Sequence, residues 1–208
     1  MNKKLLILST LILSIIILGC STRGPGTWSY EKNQKIKYDV KDINQKISKE
    51  CKKYNIDTKL VKAIIKTESN YNPKAISRTG ALGLMQIRRN TAGIDVNQKI
   101  FKINTKPTKE ELLNPYKNIK YGVAYLYILK NKYLKGIKNK RKKELCMIAS
   151  YNGGAGALLR TFDKDKKKAI NKINKMSFYK LYETILLKHN SDETKKYITK
   201  VLTYKEKY

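Results

Sequence analysis

Between Ile56 and Ser69 the apolar residues fall at positions 60, 61, 64 and 65, which is one face of an amphipathic helix, and the next step along that face is a carboxylate, Glu68. Asp57 is the predicted N-cap, Ile56 and Val61 form a hydrophobic staple, and Asn72-Pro73 is the predicted stop, because proline disfavours helical geometry in the residue before it. Upstream, Ile36, Val40, Ile43, Ile47, Cys51 and Tyr54 step by four, three, four, four and three, predicting a helix that packs onto the rest. Downstream, Thr108-Lys109-Glu110-Glu111 has the capping-box pattern. Asn114-Pro115 places a cap and an N1 proline before Ile119, Val123, Leu126, Tyr127 and Leu129. Leu145, Ile148 and Ala149 mark a shorter helix ending at Tyr151-Asn152 and broken by Gly153-Gly154. Helices over 155–162, 178–188 and 193–204 complete the series, while residues 94–106 are less regular. No segment alternates over more than four residues, so the expected class is all-α.

The chemistry starts from Glu68. A carboxylate on the buried side of a helix is costly unless paired. Its neighbours one turn away, Ile64, Ile65, Tyr71 and Asn72, include no cation. Desolvation should raise its pKa, and an acid that keeps its proton near neutrality, roughly 2 units above the usual ~4.3, is what general acid catalysis needs. After the helix, Gly80 and Gly83 bracket a small-residue turn able to bring backbone close to a ligand, and Tyr151-Asn152-Gly153-Gly154 follows much later. No acid lies inside either glycine-bearing motif, Asp57 is used as a cap, and Asp95 stands at some distance. The usual pair of glycosidase carboxyls is therefore not visible, and one-acid chemistry fits better.

Glu68-Ser69, Gly83-Leu84-Met85-Gln86 and Tyr151-Asn152-Gly153-Gly154, in this order, resemble the three signature motifs of the lytic transglycosylase domain. The resemblance runs over residues 36 to 208 and is greatest with membrane-bound members. It implies a lysozyme-like fold and a substrate, the glycan strand of peptidoglycan. By that resemblance Glu68 protonates the oxygen joining N-acetylmuramic acid to N-acetylglucosamine while the sugar's own acetamido group stabilises the oxocarbenium-like centre. The same residue then takes the proton of the muramoyl C6 hydroxyl, which closes a 1,6-anhydro ring without water. Ser77 matches a serine near acid and substrate, Met85 and Gln86 the pair lining the glycan groove, Tyr151 and Asn152 the opposite wall, and Tyr197 a late tyrosine close to the acid. Read from the residues alone, Met85 and Tyr151 fit equally as core, Ser77 as a turn former, and Tyr197 as packing with Val201. Ser150 stands where the family more often has alanine.

Before the domain, Lys3 and Lys4 precede an uncharged run from Leu5 to Gly19, short of the ~20 residues that span a bilayer and laid out as a secretory signal. Ile17-Leu18-Gly19-Cys20 resembles a lipobox. Residues 1–19 are thus expected to be a lipoprotein signal peptide, Cys20 the lipidated residue that anchors the chain in the cell envelope, 20–35 a tether, and 36–208 the catalytic domain. In a Gram-negative cell, Ser21 after the cysteine resembles the pattern for delivery to an outer membrane facing the periplasm. The extra domain that a close membrane-bound member carries ahead of its catalytic part is not expected here. The formal charge of +30 invites a polyanion, although lysines interleaved with asparagine and isoleucine are equally what a biased genome base composition produces. In an exported chain that means wall carboxylates or acidic lipid headgroups and not nucleic acid, and lysine runs such as 138–143 and 164–168 read as solvated faces. Cys51 and Cys146 read as buried free thiols or a bridge, and His189 as a surface residue before a cap. No metal site and no cofactor are expected. Two other readings stay open: a lysozyme that hydrolyses the same bond with Asp95 or another distant acid activating water, and a non-catalytic wall-binding lipoprotein.

Overall fold

Asp39 opens the first helix by accepting the Lys41 N–H at 2.8 Å, and α1 (Val40–Tyr54) buries Ile43, Ile47, Cys51 and Tyr54. The computed structural model describes residues 39–208, which cluster as one unit. The signal peptide, Cys20, the tether and Ile36 lie outside the described residues. Val40, expected on the buried stripe, is exposed at the helix entrance.

α2 (Thr58–Ser69) is the hub. Asp57 caps it through the Lys59 N–H at 2.9 Å, and Leu60, Val61, Ala63, Ile64 and Ile65 are all buried. The predicted stop was three residues late. Asn70 adopts φ 51°, ψ 38° and returns its N–H to the Lys66 carbonyl, so the helix closes on a left-handed residue that asparagine tolerates. Asn72 instead builds a turn by accepting the Lys74 N–H.

A small hairpin follows that alternation was too short to reveal. β1 (Ala81–Leu82) pairs antiparallel with β2 (Ile87–Arg88), Ala81 opposite Arg88 and Leu82 opposite Ile87. Residues 89–101, irregular in pattern, form wide π-helical turns at 89–93 and 97–101 around one short α-helical stretch. The capping box forms as expected, Thr108 accepting from Glu111 N at 3.1 Å and Glu111 accepting from Thr108 N at 3.0 Å, and starts α3 (Lys109–Leu113). Asn114 and Pro115 then start α4 (Pro115–Ile128). α5 (Lys140–Gly153) ends at Gly154, whose φ of +83° suits glycine. α6 (Ala155–Arg160), α7 (Lys166–Lys175), α8 (Phe178–Lys188) and α9 (Asp192–Glu206) complete the chain.

α7 was not anticipated. Its lysines are exposed, but Ala169, Ile170 and Ile173 supply a buried stripe of only three residues. Lys142, in a run read as solvated, is also buried. Its ammonium donates to the carbonyls of Ile173, Asn174 and Met176 at 2.8 to 3.0 Å and so closes the C-terminus of α7. Cys51 and Cys146 are buried free thiols. α9 lies along α2 and also against α5, which brings the C-terminal ends of α2 and α5 beside the first turns of α9.

Candidate active site

Glu68 occupies the last turn of α2, partly buried, with its carboxyl pushed up from 4.5 to about 7. Burial is the largest cause, the nearby Glu193 charge adds to it, and the Tyr197 hydroxyl opposes it. The desolvation that helix periodicity implied is thus present, without a compensating cation. Ser69, the next residue, donates its hydroxyl to Leu84 O at 2.8 Å and ties the end of α2 to the hairpin turn.

That turn is held from below by a side chain that belongs to none of the motifs. Asn118, fully buried on α4, donates to Leu82 O at 2.8 Å and Leu112 O at 2.7 Å and accepts from Met85 N at 2.7 Å. Its amide leaves no room for a side chain at position 83: a Cβ there would stand 2.4 Å from both the Asn118 nitrogen and the Leu112 carbonyl, so Gly83, at φ +73°, is required. The only hint was a polar residue on an otherwise apolar helix face.

The turn then fixes the next two residues differently. Met85 was expected along the groove, but its side chain is wholly buried, packed on Gly122, where an added Cβ would lie 2.2 Å from the sulfur. What Met85 offers the site is its carbonyl, which accepts the Tyr151 hydroxyl at 2.8 Å. Gln86 is forced to φ +46°, a strained setting for a residue with a Cβ. Its Nε2 donates to Ala75 O and Gly83 O at 3.1 and 2.9 Å.

Ser77 stands apart in role. Its hydroxyl accepts the Ala81 N–H at 2.9 Å and lies 3.2 Å from the Thr79 hydroxyl, so it shapes the 77–81 turn. Tyr151, at the end of α5, packs edge-on to Tyr125 with ring centroids 5.7 Å apart. Burial, then the Glu68 charge, pushes its hydroxyl far above the usual range. Asn152 bridges to α9: its Oδ1 accepts from the Thr194 hydroxyl at 2.8 Å and its Nδ2 donates to Glu193 at 3.2 Å. Tyr197, one turn further along α9, buries its hydroxyl against the Glu68 carboxyl, outside hydrogen-bond geometry with any described residue. Burial and the Glu68 charge raise its pKa well above the ordinary value.

The structure therefore gathers Glu68, Met85, Gln86, Tyr151, Asn152 and Tyr197 around the meeting of α2, the hairpin turn, α5 and α9. It adds Glu193, Asn118, Tyr125 and Thr194. Glu193 was hidden because an acid in the first turn of a helix reads as a dipole partner. Asp95, the candidate second acid, is occupied: it is paired with Lys99 and accepts the Tyr133 hydroxyl at 2.6 Å. His189 is also corrected. It is 3% exposed, not superficial, its Nδ1 accepts the Ser191 N–H, and burial lowers its pKa, because the 189–191 turn folds under Gly153. No cluster of metal-ligating side chains exists among the described residues.

Relatives include the membrane-bound lytic murein transglycosylase C of Pectobacterium atrosepticum and of Yersinia pestis, each 44% identical over 165 residues, 78% of this chain and 45% of theirs. The chain spans about half the length of the curated relatives it matches. Among solved structures, the 70 kDa soluble lytic transglycosylase of Escherichia coli superposes with a TM-score of 0.59 at 29% identity, over 78% of this chain and 23% of that one. The lytic transglycosylase Slt of Pseudomonas aeruginosa gives 0.57 at 27%, over 77% and 23%. The all-α architecture is thus the lysozyme-like fold of these enzymes. Residues 45–174, which carry Glu68, the hairpin turn and Tyr151-Asn152, match the transglycosylase SLT domain, and by that match the chain belongs to the SLT transglycosylase domain family.

Proposed function

We propose that the chain is a peptidoglycan lytic transglycosylase, a lyase that cuts between N-acetylmuramic acid and N-acetylglucosamine and leaves a 1,6-anhydromuramoyl end. The observation that carries this reading is a single carboxyl, Glu68, held near neutral pKa at the end of a buried helix and faced by two tyrosines. At about 7 it is protonated often enough to donate to the glycosidic oxygen, and once ionised it is basic enough to take the C6 hydroxyl proton. One group then serves both half-reactions, and the substrate's own hydroxyl replaces water as nucleophile. No cofactor is needed.

Around Glu68 the roles divide. Gln86 and Asn152 are polar side chains on opposite walls that meet the acetamido sugars. Tyr151, pinned to Met85 O, sets the wall between them, and Tyr197 packs its buried hydroxyl beside the acid. Met85 acts through its backbone and its packing. Ser77 keeps the approach to the groove in shape through its turn. The enzyme is anchored through lipidated Cys20 in the cell envelope, at an outer membrane facing the periplasm, where glycan strands are within reach of the tether. The membrane-bound name of the relatives supports the attachment to a membrane.

A hydrolase would need a second carboxylate to activate water, and Glu193, whose charge Glu68 feels, is the acid such a reading would call on. Release of soluble muropeptides from purified sacculi tests the reading: the wild type and Asp95→Asn should release them, and Glu68→Gln should release none. Activity that survives Glu68→Gln would exclude the proposal.

A further inference from the structure

The far ends of α2 and α5 enclose a different feature. A cavity of about 570 Å³ is lined by Asn55, Asp57, Lys130, Lys138, Lys140 and Lys143, among others. Asp57 precedes α2 and Glu68 ends it, so at 1.5 Å per residue the cavity lies about 16 Å from the catalytic acid. Both helices point their C-terminal ends at the active site and their N-terminal ends at this cavity, which separates it from the glycan groove.

Its charge is not balanced. The acids in its wall, Asp57 and Glu144, both already hold Lys205, at 2.9 and 2.5 Å, and Asp57 also caps α2. Lys130 donates to Asn55 O at 2.6 Å, which satisfies one proton but no charge. The ammonium groups of Lys138, Lys140 and Lys143 make no hydrogen bond or close ion pair among the described residues, and Lys140 meets Asp57 only through a longer-range attraction. Crowding is felt within the group, since Lys130 is pushed down by burial and then by Lys143 and Lys140. These four lysines line one concave space larger than a single phosphate, Lys138 and Lys140 exposed and Lys130 and Lys143 half-buried. Lysine is a compact point charge suited to phosphate oxygens, and several together favour a ligand with more than one negative charge.

We propose that this cavity is a binding site for a multiply charged phosphate group, gripped by Lys130, Lys138, Lys140 and Lys143. Such a group comes either from a soluble pyrophosphate-bearing molecule or from an acidic lipid headgroup at the membrane.

The test uses inorganic pyrophosphate as probe, followed by calorimetry and by its effect on unfolding temperature. Three chains are compared: wild type, Lys138→Gln/Lys140→Gln/Lys143→Gln, and an equal-charge control, Lys167→Gln/Lys168→Gln/Lys175→Gln, on the exposed face of α7. Pyrophosphate should bind and stabilise the wild type and the control, while the cavity variant, shown to be folded by a cooperative unfolding transition, loses more than about tenfold in affinity. No binding to the wild type, or equal loss in both variants, overturns the site. Sedimentation with phosphatidylglycerol and phosphatidylcholine vesicles separates the sources. Weaker binding of the cavity variant than of the control to the acidic vesicles assigns a lipid headgroup, and equal binding assigns a soluble ligand.

Discussion

Replacing Glu68 by glutamine should stabilise the protein, and by an amount that depends on pH. In the folded state the carboxyl titrates near 7, against 4.5 in an ordinary setting, a difference worth about 3 kcal/mol as an upper figure because the group is only partly buried. The folded state holds the proton more tightly than the unfolded chain does. The wild type therefore loses stability as pH rises from 4.5 to 7 and stays at that lower level above it. Glutamine keeps the shape of the protonated acid and carries no charge at any pH. Urea unfolding of both proteins should show them nearly equal below 4.5, with the variant ahead by about 2 to 3 kcal/mol above 7. Taking the difference between the two proteins cancels the titration of every other group. A gap that stays the same at both ends of the range would mean the Glu68 carboxyl is solvated in the folded protein, and the argument for a proton held near neutrality would fail.

Glu193→Gln removes the negative charge that adds to the raised pKa of Glu68 while keeping an oxygen for Asn152, so the alkaline limb of the kcat/KM profile should move to lower pH by up to about one unit. A profile that does not move would remove Glu193 from the account. Gly122→Ala drives a methyl into the Met85 sulfur and should cost about 1 to 3 kcal/mol in a denaturant titration, with kcat falling because Met85 O holds Tyr151. An unchanged midpoint would show that the Met85 side chain can move aside freely. Ser150→Ala deletes a buried hydroxyl that has no partner among the described residues and should gain up to about 1 kcal/mol in thermal or urea unfolding, where a loss would mean the hydroxyl is satisfied.

The helices that define the fold were legible because each carries its own boundary chemistry. Asp57, Thr108 with Glu111, and Asn114 with Pro115 all cap where their sequence says they should, and the stripe from Leu60 to Ile65 is buried as its spacing requires. α7 was missed for a physical reason. Five consecutive positions rich in lysine dominate its start, and its three buried residues are too few to stand out as a period. Lys142 was misjudged because a lysine's destination depends on whether carbonyls wait for it, and those of α7 are supplied from more than thirty residues away.

At the candidate site, the motifs come together in space, but how each residue packs was not legible in them. That Met85 is buried while its carbonyl holds Tyr151 follows from Asn118 and Gly122, which touch it only in three dimensions. That Glu193 stands near Glu68 follows from the packing of α9 on α2, a contact between residues far apart in the chain. The raised pKa of Glu68, by contrast, was foreseeable: a carboxylate on an apolar stripe with no local cation has nothing to hold its charge.

The central claim is that Glu68 cuts the glycan without water, using the substrate's own hydroxyl. Digestion of purified peptidoglycan in heavy-oxygen water, with the released muropeptides weighed by mass spectrometry, tests this directly. The proposed transglycosylation gives 1,6-anhydromuramoyl ends that carry no label. Reducing ends carrying heavy oxygen would contradict it and point to hydrolysis by Glu68 with Glu193.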